Sequence, residues 1–366
     1  MKTFFLLLCL TLSFTMTFCQ EKNLVNSQSA PSDKISLRQS KIIFEKVKVF
    51  PDNTQLSIVL IKNGMPVLYG VRIQNDSLRS VENHQHIFEI GSITKVFTST
   101  LLVQLVMENK ISLDDPINDS MDILLKDNVK ITFRQLSSHT SGLPRLPMNM
   151  IITDPLNPYK DYNEANLRQY LSDKMNLQAN PGEKYEYSNL GAGLLGYLVG
   201  KIEKTSYEKQ LQERILKKYG MNSTTTNRQL VADRLVKGLD MNGKETPNWD
   251  FEVLVGCGGL LSCTGDLSKF ALAQLNESNK ELALTRTKTF DINKNMDMAL
   301  GWHIIKADTG AKWAFHNGGT GGYTSSMVVD TEKKTSVIIL SNVSAFHKNM
   351  GNIDAMCFEL MKTLNP

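Results

Sequence analysis

The stretch Phe88-Glu-Ile-Gly-Ser-Ile-Thr-Lys95, with the apolar run behind it, constrains this chain more than any other part. Ile93, Val96, Phe97, Leu101, Leu102, Val103, Leu105, Val106 and Met107 fall on every side of a helical wheel. A helix that is apolar almost all round is a buried one, so the fold must build cores around it. Ser92 and Lys95 stand three apart and share a face, which brings the lysine nitrogen within reach of the serine hydroxyl. A serine hydroxyl becomes a nucleophile when a neighbour takes its proton or lowers the cost of its alkoxide. The helix start adds unpaired N–H groups and a positive dipole end, both favourable to developing negative charge. Taken alone, S-x-x-K also fits a capped helix with a solvated lysine, and the rest of the chain decides between the two.

The length of 366 residues suffices for two lobes with a sizeable core. A net charge of +4 with no basic run argues against nucleic acid as a partner. The N-terminus reads as a signal peptide over residues 1–19, with Lys2 as its charge and Phe4 to Phe18 as its apolar run. Thr17-Phe-Cys19 supplies the cleavage site; a lipoprotein anchor on Cys19 ranks second, because Phe18 is bulky where a small residue is needed. No later segment reaches the ~18 consecutive apolar residues that a membrane span needs. The mature chain is therefore expected to be exported, periplasmic or secreted, with no transmembrane span. Beyond the leader only Cys257, Cys263 and Cys357 remain, an odd number that sets no disulfide framework and leaves a Cys257–Cys263 pair open.

Residues 20–40 are polar and read as a flexible lead-in. Leu56–Ile61 and Met65–Val71 flank Asn63-Gly64 and form a β-hairpin; the buried helix follows and stops near Asn109. From there the pattern is helical. Helices are expected over Asn163–Met175, Leu190–Ile202 and Thr264–Leu275, with another opened by a Thr205/Glu208 capping box and ended by Gly220. The end of the chain returns to strands, at Lys312–His316, Tyr323–Val329 and Thr335–Leu340, and closes on a helical stripe from Ile353 to Met361. Strands at both ends imply one sheet built from both termini. The expected division is an α/β lobe from residues 41–112 and 255–366, with a helical lobe inserted at 113–254.

Two further clusters carry chemistry. Tyr187 and Asn189 form a Y-x-N just before a glycine-bearing helix. A phenolate near two cations can act as a general base, and an amide can orient both a lysine and a substrate carbonyl. The plainer reading is a packed tyrosine and a capping asparagine. His316-Asn-Gly-Gly319 opens a glycine-dense strand end. Glycine there lets a substrate lie close to the backbone, and a free N–H can form an oxyanion hole with that of Ser92.

Together and in this order, these motifs resemble the serine β-lactamase and penicillin-binding superfamily, most closely its class C branch. D-alanyl-D-alanine peptidases, D-aminopeptidases and family VIII esterases are among its relatives. The resemblance covers residues 50–345 or so and rests on Phe88–Lys95, Tyr187-Ser-Asn189, Ile131–Pro144, Leu300-Gly-Trp302 and Ile339–Asn342. Tyr187 lies 95 residues beyond Ser92, and His316 lies 129 beyond Tyr187.

The implied fold is α/β (α+β), β-lactamase/transpeptidase-like, an antiparallel sheet flanked by helices plus an inserted all-helical lobe. The implied catalytic set is Ser92 as the nucleophile of an acyl-enzyme, Lys95 and Tyr187 sharing the proton work, and Asn189 orienting. Ser92 and Gly319 N–H groups would hold the oxyanion, with His316, Asn317, Gly318 and Gly319 lining the substrate. No cofactor or metal is implied. The usual third motif is K-T-G, and here it is His316-Asn317-Gly318. A histidine, with an ordinary pKa of about 6.5, anchors a carboxylate less firmly than a lysine does. A histidine here is familiar in peptidase-like and esterase-like relatives.

No G-x-S-x-G elbow is present, which sets aside a Ser-His-Asp hydrolase. His84-Gln-His86 lacks the further ligands of a zinc set, and His139 reads as a hydrogen-bonding loop residue. The expectation is a serine hydrolase acting on a small-molecule or peptidoglycan-derived substrate, a β-lactam or D-Ala-type amide ahead of a small ester. Its rival is a non-turnover β-lactam or peptidoglycan sensor, or a scaffold that kept the fold.

Overall fold

The strands near both termini alternate apolar side chains to opposite faces, and this period of two places the sheet at the centre of the protein. The computed structural model describes residues 34–308 and 310–364. Residues 1–19 and most of the expected lead-in lie outside the described residues. Nine antiparallel strands run in the order Ser77–Val81, Met65–Gln74, Gln55–Lys62, Thr335–Ser341, Thr324–Asp330, Lys312–Gly319, His303–Lys306, Met296–Met298, Phe290–Asn293. The first and last segments of the chain pair directly, with Ile58 opposite Ile339 and Leu60 opposite Val337.

Each face of the sheet has its own core. Ile58, Leu60, Val337 and Ile339 pack against Ile43 and Val47 of the helix Leu37–Val47 and against Ile353, Met356 and Leu360 of the helix Gly351–Leu364. Val59, Ile61, Ile338 and Leu340 face the other way, toward Phe97, Leu101 and Phe270. A third core joins Leu102 and Val103 to Phe133, Tyr170, Leu190 and Leu194 in the helical part of the chain. The helix Thr94–Met107 is therefore a wall between two cores. Every residue from Thr94 to Leu105 is buried, which explains an apolar pattern with no solvent face.

The expected hairpin, the buried helix and the three C-terminal strands stand where the patterning placed them, with ends shifted by one to three residues. Four details differ. The helix Leu37–Val47 begins inside the expected lead-in. Ser36 and Gln39 form a capping box there, the Gln39 N–H donating to Ser36 Oγ and the Ser36 N–H to Gln39 Oε1. The cap expected at Thr205 falls on Ser206, whose Oγ accepts from the Lys209 N–H; Glu208 turns instead to Thr225 and Thr226. Between 113 and 254 the chain is not purely helical, since Gly238–Leu239 pairs with Glu245–Thr246. Cys257, Cys263 and Cys357 are buried free thiols, so the open question of a Cys257–Cys263 bridge resolves against one.

The glycine-bearing helix Asn189–Ile202 crosses the turn Val255–Cys257 with backbone on backbone. A Cβ added at Gly256 would stand 2.8 Å from the Gly196 Cα. Gly256→Ala is therefore expected to cost about 1–3 kcal/mol through overpacking, read as a lower urea midpoint at constant slope. An unchanged midpoint would show that the crossing can spread without penalty.

Candidate active site

The one-turn helix Gly91–Ile93 feeds into the helix Thr94–Met107 and leaves Ser92 half-buried while its neighbours are buried. Gly91 adopts φ +50°, a conformation that favours glycine. A Cβ there would lie 2.6 Å from the Gly319 N, and one at Gly318 only 2.0 Å from the Ile90 O. The glycine-dense strand end thus serves first to dock the Ser92 turn against the sheet. Ser325 Oγ adds a hydrogen bond of 2.8 Å to the Ile90 carbonyl. This docking brings the Ser92 and Gly319 backbones together.

Lys95 is buried, and its Nζ donates to Ser92 Oγ at 2.9 Å, to Asn189 Oδ1 at 2.9 Å and to the Cys257 carbonyl at 2.7 Å. Three donors meet three acceptors from three parts of the chain. Asn189 is not the helix cap. Ser188 caps, its Oγ accepting from the Gly191 N–H at 2.8 Å, which frees the Asn189 amide. Its Nδ2 donates to Tyr159 Oη at 2.8 Å, and this fixes which end of the amide faces Lys95. The Tyr187 ring lies 4.9 Å from Lys95 Nζ and 5.2 Å from Arg145 Cζ. Its two neighbouring cations are therefore Lys95 and Arg145.

The loop carrying Tyr187 is riveted to the stretch 139–145. Ser188 N–H donates to His139 Nδ1, Ser188 Oγ to the Pro144 carbonyl, and the N–H groups of Asn189 and Leu190 to the Arg145 carbonyl. The His139 ring packs on Tyr187 with centroids 4.4 Å apart. His139 is the hydrogen-bonding loop residue expected from the sequence, and it holds its backbone at φ +56° to do so.

The third motif departs from expectation. His316 is fully buried, and its Nδ1 contacts the Asn317 carbonyl at 2.6 Å. Burial, helped by His303 and Lys95, holds its imidazole well below the ordinary histidine value. It is a neutral ring within the protein, not a cation presented to a substrate. Asn317 points to the opposite face of the strand, where its Nδ2 donates to Asp354 Oδ2 at 2.6 Å. The side chains of Ser92, Lys95, Tyr187 and Asn189 thus come together, Gly318 and Gly319 join them through backbone, and the Asn317 side chain does not. The sequence reading missed Arg145, Tyr159, Tyr185 and His303. Tyr185 Oη and His303 Nε2 are 2.9 Å apart, and burial brings His303 down to about 4. Only the placement of Tyr185 beside Y-x-N, and of His303 after Gly-Trp, hinted at them.

Glu89, next to the Ser92 turn, is buried and accepts from Asn248 Nδ2 and the Trp249 N–H. Burial raises its carboxyl to about 7 against the pull of those donors. Among the described residues, no cluster of three or more metal-ligating side chains occurs, and no helix is long and apolar enough to cross a membrane.

The family model for Beta-lactamase matches residues 51–354. Protein flp of Staphylococcus aureus (strain MW2) is 25% identical over 313 residues, covering 79% of this chain and 59% of that protein. The chain thus spans less than two thirds of that relative's length. Beta-lactamase-like protein 2 of Dictyostelium discoideum is 35% identical over 207 residues, 54% of this chain and 37% of that one. Among solved structures, the octameric penicillin-binding protein homologue from Pyrococcus abyssi superposes with a TM-score of 0.74 at 26% identity, over 89% of this chain and 76% of that one. The Beta-Lactamase/D-Alanine Carboxypeptidase from Pseudomonas syringae gives 0.73 at 20% identity, over 90% and 98%. The chain belongs to the Beta-lactamase family and has its β-lactamase/transpeptidase-like fold.

Two pH effects are expected. With His316 buried and held well below the ordinary histidine value, its titration contributes no change in anionic-ligand affinity as pH rises from about 6.5 to 8. A loss of affinity through that range, abolished by His316→Gln, would overturn this. Glu89 binds its proton more tightly folded than unfolded, so stability falls as pH rises from about 4.5 to about 7 and then levels. Glu89→Gln should flatten that part of a Tm–pH curve, and an unaltered slope would count against the assignment.

Proposed function

We propose that this member of the Beta-lactamase family is a serine acyl hydrolase that works through a Ser92 acyl-enzyme. One observation carries the reading: a buried lysine contacts the Ser92 hydroxyl at 2.9 Å with its remaining donors spent on Asn189 and the Cys257 carbonyl. Lys95 either stabilises the alkoxide as an ammonium or, as an amine whose two N–H groups serve Asn189 and the Cys257 carbonyl, takes the serine proton. Tyr187, whose ring lies beside Lys95, shares this proton work, receiving the proton when it is a phenolate. Ser92 Oγ then bonds to the carbonyl carbon, and the oxyanion is met by the N–H groups of Ser92 and Gly319. Collapse expels the leaving group with the proton returned from the same base. Water, activated by the same residue, cleaves the ester and frees Ser92.

The acyl donor proposed first is a β-lactam or a D-Ala-type amide. The buried neutral His316 favours a second reading, a small-ester hydrolase, because it supplies no charge for a substrate carboxylate. Export is part of the proposal and rests on the pattern of residues 1–19 alone.

Intact-mass spectra of the protein mixed with a chromogenic cephalosporin, a D-Ala-D-Ala peptide and a p-nitrophenyl ester test both parts. A transient adduct with turnover of one donor is expected, and it names the substrate class. Ser92→Ala should remove adduct and turnover together, a loss of about a thousandfold or more. Tyr187→Phe should lower kcat by roughly 10²–10⁴-fold. Turnover surviving in pure Ser92→Ala protein would sink the mechanism; an adduct that persists without turnover would point to a sensor.

A further inference from the structure

We propose that Arg145 recognises a negatively charged group on the substrate, and that the acyl donors of this protein carry a carboxylate. The inference rests on the serine acyl hydrolase reading and names the substrate class of that site.

The site needs a cation with donors to spare, and three candidates fail. Lys95 has all three donors engaged on protein oxygens. His316 has no hydrogen-bond partner at Nε2 among the described residues, but it is fully buried, and burial holds its ring well below the ordinary histidine value, so it offers no charge to an anion. His303 Nε2 is engaged by Tyr185 Oη at 2.9 Å.

Arg145 differs on each count. From solvent inward the order is the exposed Arg145, the half-buried Tyr187 and the buried Lys95, with both cations about 5 Å from the one ring. The guanidinium carbon stands 5.2 Å from the Tyr187 ring centroid, within cation–π range, and the group is a rigid planar fork of N–H donors. That fork matches a carboxylate bidentately. Among the described residues no carboxylate pairs with Arg145. Glu186, beside Tyr187 in the chain, is taken by Lys184 at 2.7 Å.

The position is built. The Arg145 carbonyl accepts from the N–H groups of Asn189 at 3.0 Å and Leu190 at 3.2 Å. The residue that presents the guanidinium is thereby tied to the residue that holds Lys95. A substrate anion at Arg145 would sit beside the Tyr187 ring that Lys95 also contacts, and Lys95 Nζ donates to Ser92 Oγ at 2.9 Å.

The test uses boronic acids, which add reversibly to a serine hydroxyl and require no turnover. Phenylboronic acid is compared by calorimetry with its meta- and para-carboxylate derivatives, on the full chain. At least one derivative should bind about tenfold tighter than the neutral compound. That ratio should collapse toward one in Arg145→Ala, persist in part in Arg145→Lys, and shrink from ~0.05 to ~0.5 M salt. A ratio equal in wild type and Arg145→Ala would overturn the inference, as would an equal loss for charged and neutral compounds, which would mean that Arg145 only positions Tyr187. If the neutral compound needs Ser92 while the ratio ignores Arg145, the hydrolase reading stands and only this inference falls. If all three bind Ser92→Ala as tightly as wild type, the hydrolase reading fails and this inference with it.

Discussion

A lysine side chain buried with no carboxylate partner among the described residues is the constraint on which the rest of this structure depends. Taking such a charge from water costs several kcal/mol unless each donor finds an oxygen. Lys95 finds one in the Ser92 turn, one at the start of the helix Asn189–Ile202 and one in the turn Val255–Cys257. These three belong to different packing units, so satisfying the charge fixes the units to one another. Loss of any acceptor would leave a buried donor unpaired, a penalty of about 1–3 kcal/mol or more. Two close backbone approaches make the arrangement possible. Gly91 meets Gly319 on one side, and Gly196 meets Gly256 on the other. The glycines set the distances, and the lysine makes use of them.

The same economy holds for the loop carrying Tyr187. A phenol on a loop is worth little to catalysis unless its loop is immobile. Here the stretch 139–145 supplies acceptors for four groups between Ser188 and Leu190. His139 gives up a ring nitrogen and an ordinary backbone conformation to do so. Its role is structural: it holds the loop that presents Tyr187.

How much of this was legible in the sequence depends on the range of the interaction. The Ser92–Lys95 contact is local to one helix turn, and spacing alone identifies it. The strands and their faces follow from alternation, and the all-apolar helix announces a buried wall, though not that it divides two cores. The Asn317 side chain was assigned to the substrate because the motif was read as a unit; strand alternation already places residues 316 and 317 on opposite faces. The lowered pKa of His316 comes from burial with help from His303 and Lys95, which no local pattern brings near it. Arg145, Tyr159 and the Cys257 carbonyl were missed for the same reason, since each meets its partner across 30 or more residues. The helix Leu37–Val47 was a different kind of miss: its Ser36/Gln39 capping box was visible and was read as polar lead-in.

The electrostatics of the site then separate two tasks that a K-T-G lysine combines. Such a lysine adds positive potential near the nucleophile and also gathers a substrate carboxylate. With His316 neutral, potential at Ser92 comes from Lys95 and from backbone N–H groups, none of which has a donor free for an anion outside the reaction centre. Activation of the nucleophile can therefore survive here without any commitment to charged substrates. Anion recognition has to be provided at another position, where a charge can stay hydrated until the substrate arrives. An exposed guanidinium beside the Tyr187 ring meets that condition, because it keeps its solvation until an anion arrives and its planar fork can then meet a carboxylate. A site divided in this way can change its substrate preference at one exposed residue while the buried lysine, its three acceptors and the fold they hold together remain as they are.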